Sequence, residues 1–236
     1  MKFSHCLMLF LFASLPLGGY ASTKITERNE LVTEEVPRPA HIWVYDFAAT
    51  AADLPADSDL AKQHTGHSKP QTTEQIAAGR KVGAELAAEL VKQIKAMGMP
   101  AERPIAGTKP QVNDIVIRGY LVSVVEGDKK KRLAIGFGSG GTELKVAVEG
   151  FQMTDKGLRK LGGGATDSTS GKAPGAALGV VGIVAMHNPL GLIVGTGIKA
   201  HDEKTGSAKL VGRAKDTAKE IADVLKKRFQ EQGWID

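Results

Sequence analysis

The sequence predicts an α+β fold: a small, mainly antiparallel sheet with two helices packed on one of its faces, plus a glycine-zipper helical hairpin as an insertion. Three observations lead there. Segments near residues 72–98 and 205–232 carry apolar side chains at helical spacing. Segments around 41–47, 113–127 and 143–153 alternate with period two, as half-buried strands do. Residues 171–200 are weakly charged, with glycine at every fourth position in each half, a pattern that lets another backbone approach a helix closely.

With 236 residues, 42% hydrophobic and 24% charged, the composition is globular and sufficient for one domain. Aromatics make up only 5%, so the core must come from Val, Leu, Ile and Ala, and a base-stacking surface is not supported. Residues 1–21 read as a signal peptide: Lys2, an apolar run from Cys6 to Leu17, then Gly19 and Ala21 before a cleavage point at Ser22. The run is shorter than the roughly 20 apolar residues a transmembrane anchor needs. Residues 22–40, with Pro37 and Pro39, read as a flexible lead-in, and 41–236 as a single α+β domain. Cys6 is the only cysteine, so the exported chain would have no disulfide, thiol nucleophile or cysteine metal ligand. The formal charge of +5 would meet anionic lipid more readily than nucleic acid outside the cytoplasm. The expected location is periplasmic, peripheral to the outer membrane, with no nucleic-acid partner.

His41–Phe47 is expected as the first strand, with Ile42, Val44 and Asp46 on one face and Trp43, Tyr45 and Phe47 on the other. Residues 48–71 follow as a long loop. Thr72-Thr73-Glu74-Gln75 is a capping-box pattern that opens a helix marked by Ile76, Leu86, Leu90, Ile94 and Met97, and Gly98 ends it. Residues 113–127 predict a strand buried on both sides. A hairpin turn at Gly127–Lys131 and strands at 132–135 and 143–153 complete an antiparallel meander. The polar, glycine-rich stretch 154–170 holds a short strand near Leu158–Leu161. The last helix carries Leu210, Val211, Ala214, Ala218, Ile221, Leu225 and Phe229 and stops at Gly233, with Trp234 and Ile235 folding back.

The zipper consists of Gly171, Gly175 and Gly179 in one arm and Gly191 and Gly195 in the other, parted by His187-Asn188-Pro189. Lys129, Lys130, Lys131 and Arg132 form a basic hairpin tip that suits an anionic surface, or simply water. Gly136, Gly138 and Gly141 match a nucleotide-binding spacing, but the strand-like run after them is the wrong context, and a strand bend explains them better. His64 and His67, with Asp57 and Asp59, lack a rigid ligand spacing and read as solvated loop, so no metal is assigned. Asp46 reads as a turn acceptor rather than a general base. No catalytic residues and no cofactor are assigned.

Val44-Tyr45-Asp46-Phe47 followed by Asp53-Leu54-Pro55, Gly119-Tyr120-Leu121 with Glu126-Gly127-Asp128, and Arg132 to Gly140 stand in one order along the chain. On these motifs the chain resembles the family known as domain of unknown function 4410, over roughly residues 40–234. The resemblance implies an exported envelope protein. Many members carry a lipoprotein signal, and this chain departs by lacking the lipid-bearing cysteine.

The expected function is therefore that of a non-catalytic envelope protein. It would act by self-association as a homo-oligomer, or by contact with a membrane or an envelope protein, through the zipper hairpin. The alternative is a periplasmic small-ligand binder with a pocket between the loop 48–71 and the glycine-rich bend at 136–141.

Overall fold

Strand-forming residues need partners for their backbone groups, and here the period-two segments find them in one sheet. The computed structural model describes residues 22–30, 34–55, 58, 71–125, 143–169, 192–194 and 207–236. Its strands are β1 (Ser22–Glu30), β2 (Ile42–Val44), β3 (Ala101–Glu102), β4 (Ile115–Val125), β5 (Glu143–Thr154), β6 (Gly157–Thr169) and β7 (Leu192–Val194). Its helices are α1 (Thr73–Ala96) and α2 (Ser207–Glu231). The strand order is β1-β6-β5-β4-β2-β3, with β7 also against β4. The β1, β6, β5 and β4 pairings are antiparallel, whereas β2 and β7 run parallel to β4. Both helices pack on one face and the fold is α+β, as the sequence predicts.

Three local expectations need correction. The first concerns Ser22–Glu30, expected inside a flexible lead-in: it is the strand β1, paired antiparallel with β6. The cause is tertiary, because β6 would otherwise leave a free row of backbone donors and acceptors. The second concerns β6, which runs for 13 residues instead of the short strand near Leu158–Leu161. A two-residue turn between Thr154 and Gly157 (φ 109°) folds it back along all of β5, and this pairing overrides the low strand preference of its glycines. The third concerns Leu192–Val194, placed by the glycine spacing in the second helical arm, which is a strand. Since β2 covers only Ile115–Ile117 of that edge of β4, Ser123–Val125 is free to accept β7. The rest of 171–200 lies outside the described residues.

The helix ends follow their sequence signals. At the start of α1 the Thr72 hydroxyl accepts from Gln75 N at 3.2 Å, while Thr72 N donates to the Gln75 side chain at 2.9 Å. At the end of α2 Gly233 takes φ 65°, and Trp234 N donates to the Phe229 carbonyl at 2.8 Å. This seats the Trp234 ring 5.3 Å from that of Phe229.

One core joins the layers. Ile42, Val44, Ile115, Ile117, Leu121, Leu144 and Val146 face Leu86, Leu90 and Ile94 of α1 and Ala214, Ala218 and Ile221 of α2. Phe47 was assigned with Trp43 and Tyr45 to the opposite face, but it lies in this core because the chain leaves strand geometry after Val44. A Cβ at Gly83 of α1 would stand 2.1 Å from the Phe47 carbonyl oxygen, and one at Gly119 of β4 would stand 2.2 Å from its ring. Phe47 is thus wedged between two positions that tolerate only glycine. Beyond it, Asp53 accepts from Arg80 at 2.7 Å and from Thr50 N at 3.1 Å, which ties the loop to α1. Burial pushes the Asp53 carboxyl up, but hydrogen bonds from Arg80 and Thr50 and the Arg80 charge outweigh that and hold it below 3.8.

Two predictions follow from these contacts. Gly83→Ala should lower stability by about 3 kcal/mol, because rigid backbone stands in the way, and Gly119→Ala by about 2 kcal/mol, because the ring can shift. Urea denaturation reads both, and midpoints at the wild-type value would refute the wedge. A depressed carboxylate adds stability above its unfolded pKa and loses it as pH falls through the folded value. Arg80→Met should therefore lower the thermal midpoint only slightly at pH 7, given its exposed position. The difference from wild type should shrink as pH falls below the ordinary aspartate range and vanish only below the depressed folded value. A pH series of thermal midpoints checks this.

Candidate functional site

Strand register sets up the clearest concave feature. On the helix-facing side of the sheet Gly150 of β5 pairs with Gly162 of β6, and Gly164 pairs with Val148. Three neighbouring positions under α2 therefore offer no side chain, and the helix cannot close on a bare floor. The result is a groove of about 160 Å³, walled by Ile115, Ile117 and Leu161 from the sheet side and by Ile221, Val224 and Leu225 from α2. Apolar cavities of about 150 Å³ take up a benzene-sized molecule. A Cβ built on Gly150 meets nothing within 4 Å, so the space above it is open. Val224, Leu225, Leu161 and the floor glycines are half-buried, which brings the groove to the surface.

One end is shut by the C-terminus. Trp234 Nε1 donates to the Val36 carbonyl at 2.9 Å, and the Gln232 side chain accepts from Val36 N. Arg228 at this end holds Glu231 at 3.3 Å. Toward the other end the lining reaches Thr166, whose buried hydroxyl has no hydrogen-bond partner. One turn of α2 before Ile221 stands Thr217, fully buried, and one turn earlier Arg213, 8% exposed. Among the described residues the Thr217 hydroxyl and Arg213 Nη1 also have no hydrogen-bond partner. Burial pushes the Arg213 guanidinium down from its ordinary value, with the Asp216 charge acting in the opposite sense. The nearby Glu220 carboxyl is pushed up by burial and by Asp223 and Asp216.

The opposite face of the sheet is chemically different. Arg118 lies 5.7 Å from the Tyr45 ring centroid and 5.5 Å from that of Phe151. Buried Glu149, paired in register with Arg118, forms an ion pair with Lys160. Asp114 accepts from Trp43 Nε1 at 2.9 Å and from Gln111 N at 2.8 Å, pinning the start of β4. Asp46, read from the sequence as a turn acceptor, is instead an exposed partner of Arg103, at 2.7 Å from one oxygen. Glu149 with Lys160, Asp114 with Trp43 and Asp46 with Arg103 are thus paired and hold structure together.

The zipper glycines Gly171, Gly175, Gly179, Gly191 and Gly195 lie outside the described residues, as do Lys129, Lys130, Lys131 and Arg132. The same holds for Asp57, Asp59, His64 and His67, and for the bend at 136–141 that was to form one wall of the alternative pocket. The groove lies elsewhere, under α2. Sequence reasoning passed over its floor by reading residues 154–170 as mostly loop, although Gly162-Gly163-Gly164 between strand-like flanks was a usable signal of a bare sheet surface. It also passed over Arg213 and Thr217, which border the apolar stripe of the last helix. Among the described residues no three His, Cys, Asp or Glu side chains are grouped to hold a metal, and no helix is long and apolar enough to cross a membrane.

A family profile described as a domain of unknown function, DUF4410, matches residues 42–186. No curated protein matches the chain. Among solved structures, a PelC dodecamer from Paraburkholderia phytofirmans is similar at 10% identity and a TM-score of 0.34, over 66% of this chain and 86% of that one. A variant PelC dodecamer from the same organism is similar at 12% identity and a TM-score of 0.30, over 67% and 86%.

Proposed function

The chain belongs to the DUF4410 family, and from that premise we propose that it is an exported, non-catalytic envelope protein that works by binding, with the groove under α2 as its contact site. One observation carries this reading: a glycine floor beneath a helix leaves an apolar, solvent-reaching space of about 160 Å³. An apolar group of that size, from a small ligand or a partner's side chain, gains the contacts that the bare floor cannot supply. Octanol is a suitable probe, and Trp234 at the closed end is a built-in reporter. Saturable change in tryptophan emission is expected in wild type and not in Gly150→Val, whose Cβ has open space within 4 Å and whose methyls would occupy the groove. An identical response in both would refute the site.

The spacing of Gly171, Gly175 and Gly179 supports a second reading, in which the same protein self-associates or contacts a membrane or envelope protein through its small-residue stripe. The periplasmic location, peripheral to the outer membrane, is part of both readings, as is the absence of a nucleic-acid partner. Gly179→Leu should then change oligomer size in solution, or release the protein from carbonate-washed membranes. If it alters neither, the stripe is packing within the chain.

A further inference from the structure

Arginine is seldom buried without a partner, because taking a guanidinium out of water costs more than packing returns. Arg213 is 8% exposed, and its Nη1 has no hydrogen-bond partner. Asp216, the acidic group that acts on it, is exposed to water one turn away. Thr217 and Thr166 add two buried hydroxyls in the same condition. Thr166 lies in the lining of the groove, and Thr217 and Arg213 stand one and two turns of α2 before Ile221 of its wall. Together they offer donors and one positive charge, and the missing half is an acceptor with negative charge.

Resting on the groove as the contact site, we propose that its ligand is an anionic amphiphile of the fatty carboxylate class. The alkyl chain lies over Gly150, Gly162 and Gly164, and the carboxylate meets Arg213, with Thr217 and Thr166 as further donors. Helix geometry supports the continuity: residues 213, 217, 224 and 228 fall at i, i+4, i+11 and i+15, along one face of α2. Val224 and Arg228 of that face line the groove. Thr217 is one helical turn, about 6 Å, from Ile221 in its wall, within the reach of a short chain. A monoanion suits the site better than a dianionic phosphate. A single guanidinium is free to receive charge, Arg228 being held by Glu231, and Asp216, Glu220 and Asp223 already make the surroundings acidic.

The test is calorimetric titration of the purified protein with octanoate and, separately, octanol. Octanoate should bind about tenfold more tightly than octanol, the difference a charge-assisted hydrogen-bonded pair supplies. Arg213→Met should abolish that difference, so that octanoate binds no more tightly than octanol. Arg213→Lys, which keeps the charge and loses the planar fork, should restore part of the preference. Equal binding of octanoate and octanol by wild type, or a preference that survives in Arg213→Met, would overturn the assignment and leave the groove as a neutral apolar site. Failure of both probes to bind would overturn the groove reading with it.

Discussion

The ring of Phe47 occupies space that exists only because two other residues have no side chain. Gly83 lets the first helix come down onto the Phe47 backbone, and Gly119 lets the ring lie flat on the central strand. With both in place the segment after β2 closes over β4, where Ala48 exchanges hydrogen bonds with Gly119 and Leu121 at 2.9 and 2.8 Å. This patch fixes the height of α1 above the sheet. Since α1 and α2 pack against each other, it also fixes where α2 can lie. A helix held at that height over side chains makes a core, and one held there over glycines leaves a gap.

That is the origin of the groove. α1 lies over β2, β3 and β4, which offer it Ile42, Val44, Ile115, Ile117 and Leu121 and, at Gly119, the ring of Phe47, whereas α2 lies over β5, β6 and β1, where the floor includes Gly150, Gly162 and Gly164. Apolar surface left in contact with water is a standing free-energy cost of about 25 cal/mol per Å². A chain could remove that cost with single substitutions, since a Cβ at Gly150 is sterically free. The persistence of bare floor, apolar walls and an unpaired Arg213 on one helix face makes a coherent arrangement for a ligand with two chemical halves.

The two faces of the sheet divide the labour. On the face away from the helices, charges are matched: Arg118 between two aromatic rings, Glu149 with Lys160, Asp114 with Trp43. On the helix face the core is apolar except at Thr166 of β6 and at Arg213 and Thr217 of α2, which are buried. Buried polar groups that satisfy one another rigidify a fold, and those that do not are places where something else can bind.

The sequence by itself determined the local elements, because each is written in a short-range code. Thr72 with Gln75 set one helix start, Gly98 and Gly233 set the helix ends, and period-two alternation marked the meander. The family and the α+β class followed from their order. Only the tertiary structure decided what those codes leave open. Ser22–Glu30 reads as a polar linker until the free edge of β6 makes it a strand. Leu192–Val194 has helical neighbours in the glycine count, yet the vacant half of the β4 edge takes it into the sheet. The groove was illegible for the same reason: Gly162-Gly163-Gly164 announces flexibility in a linear reading, and becomes a floor only when the register sets Gly162 beside Gly150 and α2 crosses above. Backbone hydrogen bonding and close packing act between residues remote in sequence, so strand membership and empty space are properties of the assembled chain.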